Sequence, residues 1–301
     1  MSLSTVNILA RDIKLAHSVF ALPFALLAAF WAADGYPGHV EIALLVGCMF
    51  FARTWAMLAN RYVDRELDAA NPRTAGRALP AGRVSARQVR RVMAAAGASF
   101  IACAAGFGLA DGNWWPALFA VPVLAWLGVY GLFKRFTVFA HFFLGSSLAL
   151  SPIAAGVAIA PGSLGHPTPW LLAAFVLLWV AGFDIIYALQ DIDVDRRDGL
   201  HSVPARLGTT AALFTAKFVH LLALVMLMLT QRLTESFRYN RIVPEYEISY
   251  FTVGLVIVAV ALIVEHRAAT RGQFSMAFFT ANGVISIALG ALGIADVLTW
   301  P

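Results

Sequence analysis

Nine long apolar stretches limit this chain more than any other feature. They fall at about 14–34, 39–60, 92–110, 114–132, 137–160, 169–190, 209–230, 249–265 and 275–299. A helix that crosses a bilayer needs about 20 mainly apolar residues, and each stretch is near that length. The runs are continuously apolar rather than alternating, which favours helices over a barrel. Charged residues make up 13% of the 301, against roughly a quarter in a soluble domain, so lipid is the solvent for most of the surface. The expected fold is all-α, a multi-pass transmembrane bundle of nine helices in a single domain, 1–301. The first run is read as a retained helix, because no small-residue cleavage site follows it. Cys48 and Cys103 lie in apolar runs and are read as small packing residues.

Basic residues are distributed unevenly. Placing the N-terminus in the cytoplasm puts 17 of the 22 lysines and arginines on one face and three, Arg232, Arg238 and Arg241, on the other. Arg53 and Lys217 fall inside predicted helices. The asymmetry satisfies the positive-inside rule, so the polar face is expected to be cytoplasmic, as in a bacterial-type inner membrane. No nucleic-acid partner is expected; the bilayer is.

Two loops on that face are longer than a connection requires, about 61–91 and 191–208, and both start from carboxylates at a helix end. "NRYVDRELD" spaces Asn60, Asp64 and Asp68 four residues apart, which on a helix makes one column. Arg53 lies about two turns deeper on the same face. "FDIIYALQDIDVD" sets Asp184, Tyr187, Asp191 and Asp195 in a second column. Stacked like charges destabilise a helix unless a cation sits between them. Oxygen-only ligands beside arginines suit Mg²⁺ shared with substrate phosphates, and the adjoining arginines and Lys134 suit phosphate oxygens. The plainer alternative is that the carboxylates pair with loop arginines and decorate the helix ends. Asp193 and Glu66 lie off the columns and rank second, while Asp198 taken singly fits pairing with a loop arginine as well as a site role. The repeated order of helix, acidic cluster and basic loop suggests two related halves.

These residues resemble the UbiA superfamily of intramembrane prenyltransferases. "NRYVDRELD" with "NPRTAGRALPAG" resembles its first aspartate-rich motif, "DIIYALQDIDVDRRDGLHS" its second, and "YGLFKRFT" its Tyr-x-x-x-Lys element, here Tyr130 and Lys134. The resemblance implies nine helices around a central cavity capped by the cytoplasmic loops, Mg²⁺-dependent binding of a prenyl diphosphate, and prenyl transfer to an acceptor. Asn60, Asp64 and Asp68 would hold one metal–diphosphate contact, and Asp191 with Asp195 the other. Lys134, Arg73 and Arg77 would neutralise the leaving diphosphate. "IKLAHSVFALPFALLAAF" and "FAHFFLGSSLALSPIAAG" resemble the branch that prenylates aromatic acids for quinones. The expected acceptor is 4-hydroxybenzoate (the ubiquinone route), with 1,4-dihydroxy-6-naphthoate (the futalosine menaquinone route) as the alternative.

Arg53, costly in lipid unless it faces a cavity, is read as a clamp for the acceptor carboxylate, or else as a partner for Asp184 or the diphosphate. Lys14 is read either as a substrate contact or as an interfacial anchor, and His17 as an interface histidine. Trp55 and Tyr187 are candidates to stabilise a carbocation through their ring faces. A membrane transporter is the rival from another class, but the charges gather at one membrane face rather than the midplane.

Overall fold

The computed structural model describes residues 3–13, 20–239, 248–274 and 276–299. Twelve α-helices follow in order: α1 (Leu3–Asp12), α2 (Leu22–Ala32), α3 (His39–Val63), α4 (Arg65–Ala70), α5 (Ala86–Asp111), α6 (Trp115–Val129), α7 (Ala140–Ile159), α8 (Pro167–Ala188), α9 (Ile192–Arg197), α10 (Val203–Tyr239), α11 (Tyr250–Thr270) and α12 (Asn282–Thr299). The described residues contain eight helices long and apolar enough to cross a membrane. The ninth expected span, 14–34, is described as helix only over Leu22–Ala32, since 14–19 lie outside the described residues.

Local chemistry sets the helix ends. Ser85 caps α5, its hydroxyl accepting from the Gln88 amide at 3.3 Å, and Gly112 closes that helix at φ 72°. The Glu41 carboxylate reaches back to the Gly38 amide at 2.7 Å and starts α3. Ser249 caps α11 through the Thr252 amide. Pro167 opens α8, where a missing N–H costs nothing.

Neighbours in the sequence are neighbours in space, and the helices close a ring. In turn α2 touches α3, α3 packs on α5, α5 on α6, α6 on α7, α7 on α8, α8 on α10, α10 on α11, α11 on α12, and α12 returns to α2. The wall α7–α8–α10–α11–α12 is dense. Phe175 and Trp179 stack at 6.1 Å, and Phe24 meets Trp179 edge-on at 5.4 Å. Close approach of α7 and α8 requires Gly145, where an added Cβ would stand 2.3 Å from the Leu177 carbonyl oxygen. A large cavity lies inside the ring, walled by residues of α2, α3, α5, α6, α7 and α8.

The two cap loops contain more helix than the sequence suggests. The first carries α4 before the chain turns into α5 at Ala86. The second carries α9 and then the start of α10, which is interrupted at Gly208 with φ 82° and ψ 169°, a conformation that excludes a side chain. On the opposite face α10 continues through Tyr239, and 240–247 lie outside the described residues.

Candidate active site

At Asp64 the first acidic column survives a break in its helix. The backbone there (φ −90°, ψ 7°) ends α3 and starts α4. The Asp64 amide still bonds the Asn60 carbonyl at 2.9 Å, and the Asp68 amide bonds the Asp64 carbonyl at 2.8 Å. Helical spacing is therefore kept and the three side chains share a face. Asp64 is 2% exposed. Lys134 Nζ donates to its Oδ2 at 2.5 Å, Arg135 Nη2 to its Oδ1 at 3.2 Å, and Asn60 Nδ2 to its Oδ2 at 3.2 Å. Lys134 and Arg135 are brought there by the 3₁₀ turn Tyr130–Arg135 that follows α6. Asp68 receives Arg77 Nη1 at 2.5 Å on Oδ1, while its Oδ2 is buried with no hydrogen-bonding partner.

The second column does not run straight. After α8 the chain tightens into a 3₁₀ turn, Leu189–Asp191, before α9. Asp184, inside α8, accepts from His141 Nδ1 of α7 at 2.7 Å. The other ring nitrogen of His141 accepts from the Val203 amide at 3.2 Å. That fixes the proton on Nδ1 and ties the start of α10 to the cavity wall. Asp191 takes Arg73 on both oxygens, with Nε at 2.9 Å, and Asn71 Nδ2 at 3.0 Å. Arg73 Nη1 also donates to the Tyr187 hydroxyl at 2.9 Å. Burial alone would lower the pKa of Arg73, but its bonds to Asp191 and Tyr187 prevail and hold it above the ordinary value. Asp195 accepts from the Ser202 hydroxyl at 2.6 Å.

Both clusters open on one cavity of about 1390 Å³. Arg53, Asn60, Asp64, Asp68, Arg73, Arg77, Tyr130, Lys134, Asp184, Tyr187, Asp191 and Asp195 all line it. Apolar side chains such as Leu45, Phe107, Leu148 and Val180 continue the wall into the bundle. Arg53 faces the cavity and donates from Nη2 to the Ile13 carbonyl at 3.2 Å. The Tyr130 ring lies within electrostatic reach of Arg53, Arg61, Asp64 and Asp184. Lys14 and His17 lie outside the described residues.

Some expectations change on this geometry. Trp55 does not line the cavity; it is wedged between α5 and α6, against Gly97 and Gly128, and is a packing residue. Asp198 pairs with Arg197 at 2.8 Å and Glu66 with Arg65 at 2.8 Å, both at exposed arginines. Pairing of carboxylates with arginines, the plainer alternative, does occur at Asp64, Asp68 and Asp191, yet all three carboxylates sit on the cavity. Arg135, Asn71, His141 and Ser202 were missed by the sequence reading. Arg135 adjoins Lys134, Asn71 opens the arginine-rich loop, and His141 and Ser202 lie within the quoted motif segments, but nothing local indicates their partners.

The oxygen-only donor set and the bare Asp68 Oδ2 fit a hard divalent cation. Among the described residues no three His, Cys, Asp or Glu side chains gather closely enough to hold a metal alone. A hard cation held by one or two of these carboxylates would complete its shell from a bound ligand.

A ring of membrane helices around a one-ended polar cavity, with paired aspartate clusters at its capped end, defines an intramembrane transferase of diphosphate-borne groups. The UbiA prenyltransferase family model matches residues 21–295, and the chain belongs to that family. It is an integral membrane prenyltransferase. A 4-hydroxybenzoate octaprenyltransferase of Ectopseudomonas mendocina is 28% identical over 273 residues, covering 87% of this chain and 82% of that one. A Neisseria gonorrhoeae enzyme of the same name, also 28% identical, aligns over 60% of this chain and 59% of its own. Among solved structures, the apo UbiA homolog from Aeropyrum pernix K1 superposes with a TM-score of 0.82 at 31% identity, covering 94% of this chain and 98% of that chain. A UbiA homolog from Archaeoglobus fulgidus bound to DMAPP and Mg²⁺ shares the fold, with a TM-score of 0.65 at 18% identity over 96% of this chain and 98% of that one.

Proposed function

We propose that this protein transfers a polyprenyl group from a prenyl diphosphate to 4-hydroxybenzoate, in ubiquinone biosynthesis, at the cytoplasmic face of a bacterial inner membrane. The observation that carries the reading is the cavity itself, with carboxylates and cations at its capped end and an apolar bore behind them. The names of the curated relatives favour hydroxybenzoate over the naphthoate alternative.

Asn60, Asp64, Asp68, Asp191 and Asp195 are the proposed holders of Mg²⁺, which when bound would neutralise charge developing on the diphosphate. Lys134, Arg73 and Arg77 pair with those carboxylates in the ligand-free protein, and each has a charge to offer a diphosphate entering between them. As the C1–O bond breaks, its electron pair moves to the departing oxygen, and these cations stabilise it. The allylic carbon stays in the apolar bore, away from water that would hydrolyse it. A ring carbon of the acceptor then attacks C1, and Asp191 is the proposed acceptor of the ring proton. Arg53, deeper on the same face as Asn60, would clamp the acceptor carboxylate by paired hydrogen bonds. Tyr130 and Tyr187 border the same space.

The test is to incubate purified protein with Mg²⁺, octaprenyl diphosphate and either 4-hydroxybenzoate or 1,4-dihydroxy-6-naphthoate, following product by mass. Prenylated hydroxybenzoate, lost on adding EDTA, is expected. Product from the naphthoate alone would overturn the acceptor assignment. Arg53→Met is expected to raise the KM of the acceptor far more than that of the diphosphate, and an equal rise would remove the clamp.

A further inference from the structure

A second site lies on the outside of the ring, in the lipid-facing groove between α10 and α11. Lys217, His220, His266, Arg267 and Thr270 line it together with leucines and isoleucine of both helices, around a volume of about 450 Å³. None of these residues borders the central cavity. Ala212 and Ala216 of α10 pack with Ala268 and Ala269 of α11 and with Ile185 and Val203, which places the groove's polar end at the capped side of the bundle.

Two features of the groove call for a ligand, its cations and its apolar track. Lys217 and Arg267 are both exposed, and neither makes an ion pair among the described residues. Two uncompensated cations on a lipid-facing surface are costly unless an anion meets them. Two histidines also line the groove. His220 Nε2 lies 3.1 Å from the Trp179 carbonyl, which only accepts, so that nitrogen carries the proton. Nδ1 of His220 is then the acceptor for His266 Nε2 at 3.0 Å. The chain of donors leaves His266 Nδ1 as an acceptor, buried and without a partner. Beyond the polar end, Leu221, Leu224, Leu262 and Ile263 continue the groove as an apolar track.

We propose that this groove binds one anionic phospholipid. Its phosphate sits between Lys217 and Arg267, and an acyl chain follows the apolar track. Charge complementarity selects an anionic lipid over a zwitterionic one, because a choline group would return a positive charge to a site that already holds two. Lys217 extends its butyl stem along the helix so that its ammonium meets the headgroup level.

The experiment titrates phosphatidylglycerol or phosphatidylcholine into the full-length protein in detergent, reading bound lipid by native mass spectrometry and the melting temperature in parallel. Wild type should retain a single phosphatidylglycerol with clear preference over phosphatidylcholine. Lys217→Gln/Arg267→Gln should weaken that retention about thirtyfold, about fivefold per cation, with the protein still folded by its melting curve. Lys217→Arg/Arg267→Lys should keep it, as should Arg87→Gln/Arg91→Gln on the capped face. Equal binding of the two lipids by wild type would overturn the proposal. So would unaltered binding by Lys217→Gln/Arg267→Gln, or an equal loss in both arginine-directed double variants, since either places the lipid elsewhere.

Discussion

The two aspartate clusters look like copies of each other in sequence and differ in construction. In the first, helical hydrogen bonding runs through the break at Asp64, and its partners come from nearby in the ring: Lys134 and Arg135 from the turn after α6, and Arg77 from its own loop. In the second, a 3₁₀ turn rotates Asp191 away from the line of Asp184, and three different elements hold the three carboxylates. His141 takes Asp184, the first cap loop supplies Arg73 and Asn71 to Asp191, and Ser202 takes Asp195. The second cluster is thus completed by the first cap. A repeated motif need not give a repeated site when one copy borrows its partners from the other.

Replacing one carboxylate in each cluster is the most severe test of that difference. Asp64→Asn and Asp191→Asn are each expected to lower kcat/KM by on the order of 10²–10³-fold. A large loss in Asp64→Asn alone would mean that the second cluster only braces the cap. Next comes the bridge between the clusters. Arg73→Met should reduce kcat/KM by about 10–100-fold. Combined with Asp191→Asn, it should cost much less than the sum of the two, because both remove one contact. Additive losses would separate Arg73 from Asp191 functionally.

His141→Ala tests the support of the second cluster. It leaves the Val203 amide without its acceptor and Asp184 without its donor, at about 1–3 kcal/mol, read as a lower melting temperature in detergent. An unchanged melting curve would show that the bridge to α10 is dispensable. The smallest effect is expected at Arg197→Gln, which should leave turnover within about twofold. Hydrogen bonding by Arg197 holds the Asp198 carboxyl below its ordinary 3.8. This depressed group contributes fully above that value and loses its contribution only as pH falls through the lowered one, so changes of pH around neutrality should leave the pair unaltered.

Much of this molecule is legible in the sequence because its signals are short-range. Helix length and apolarity are local properties, and the four-residue step from Asn60 to Asp64 to Asp68 keeps its meaning wherever the backbone remains near-helical. Arg53 points to a cavity on sequence grounds alone, because a charge in lipid has few alternatives. The same reasoning failed at Trp55, where a large aromatic beside a motif proved to fill the space left by Gly97 and Gly128. It also failed to find His141, whose partners are 43 and 62 residues away.

By itself, then, the sequence determined a helical membrane protein, two acidic clusters at one end of it, and the oxygen-rich chemistry those clusters offer a cation. Periodicity and hydropathy act over one or two turns, so they suffice for these features. Only the tertiary structure decided that α2 to α8 enclose the cavity while α10 to α12 close the ring behind it. It also decided that Arg73 crosses between caps, and that Lys217 and Arg267 line one groove outside the ring. Those outcomes depend on which helix faces pack together, a choice made by contacts between residues far apart in the chain.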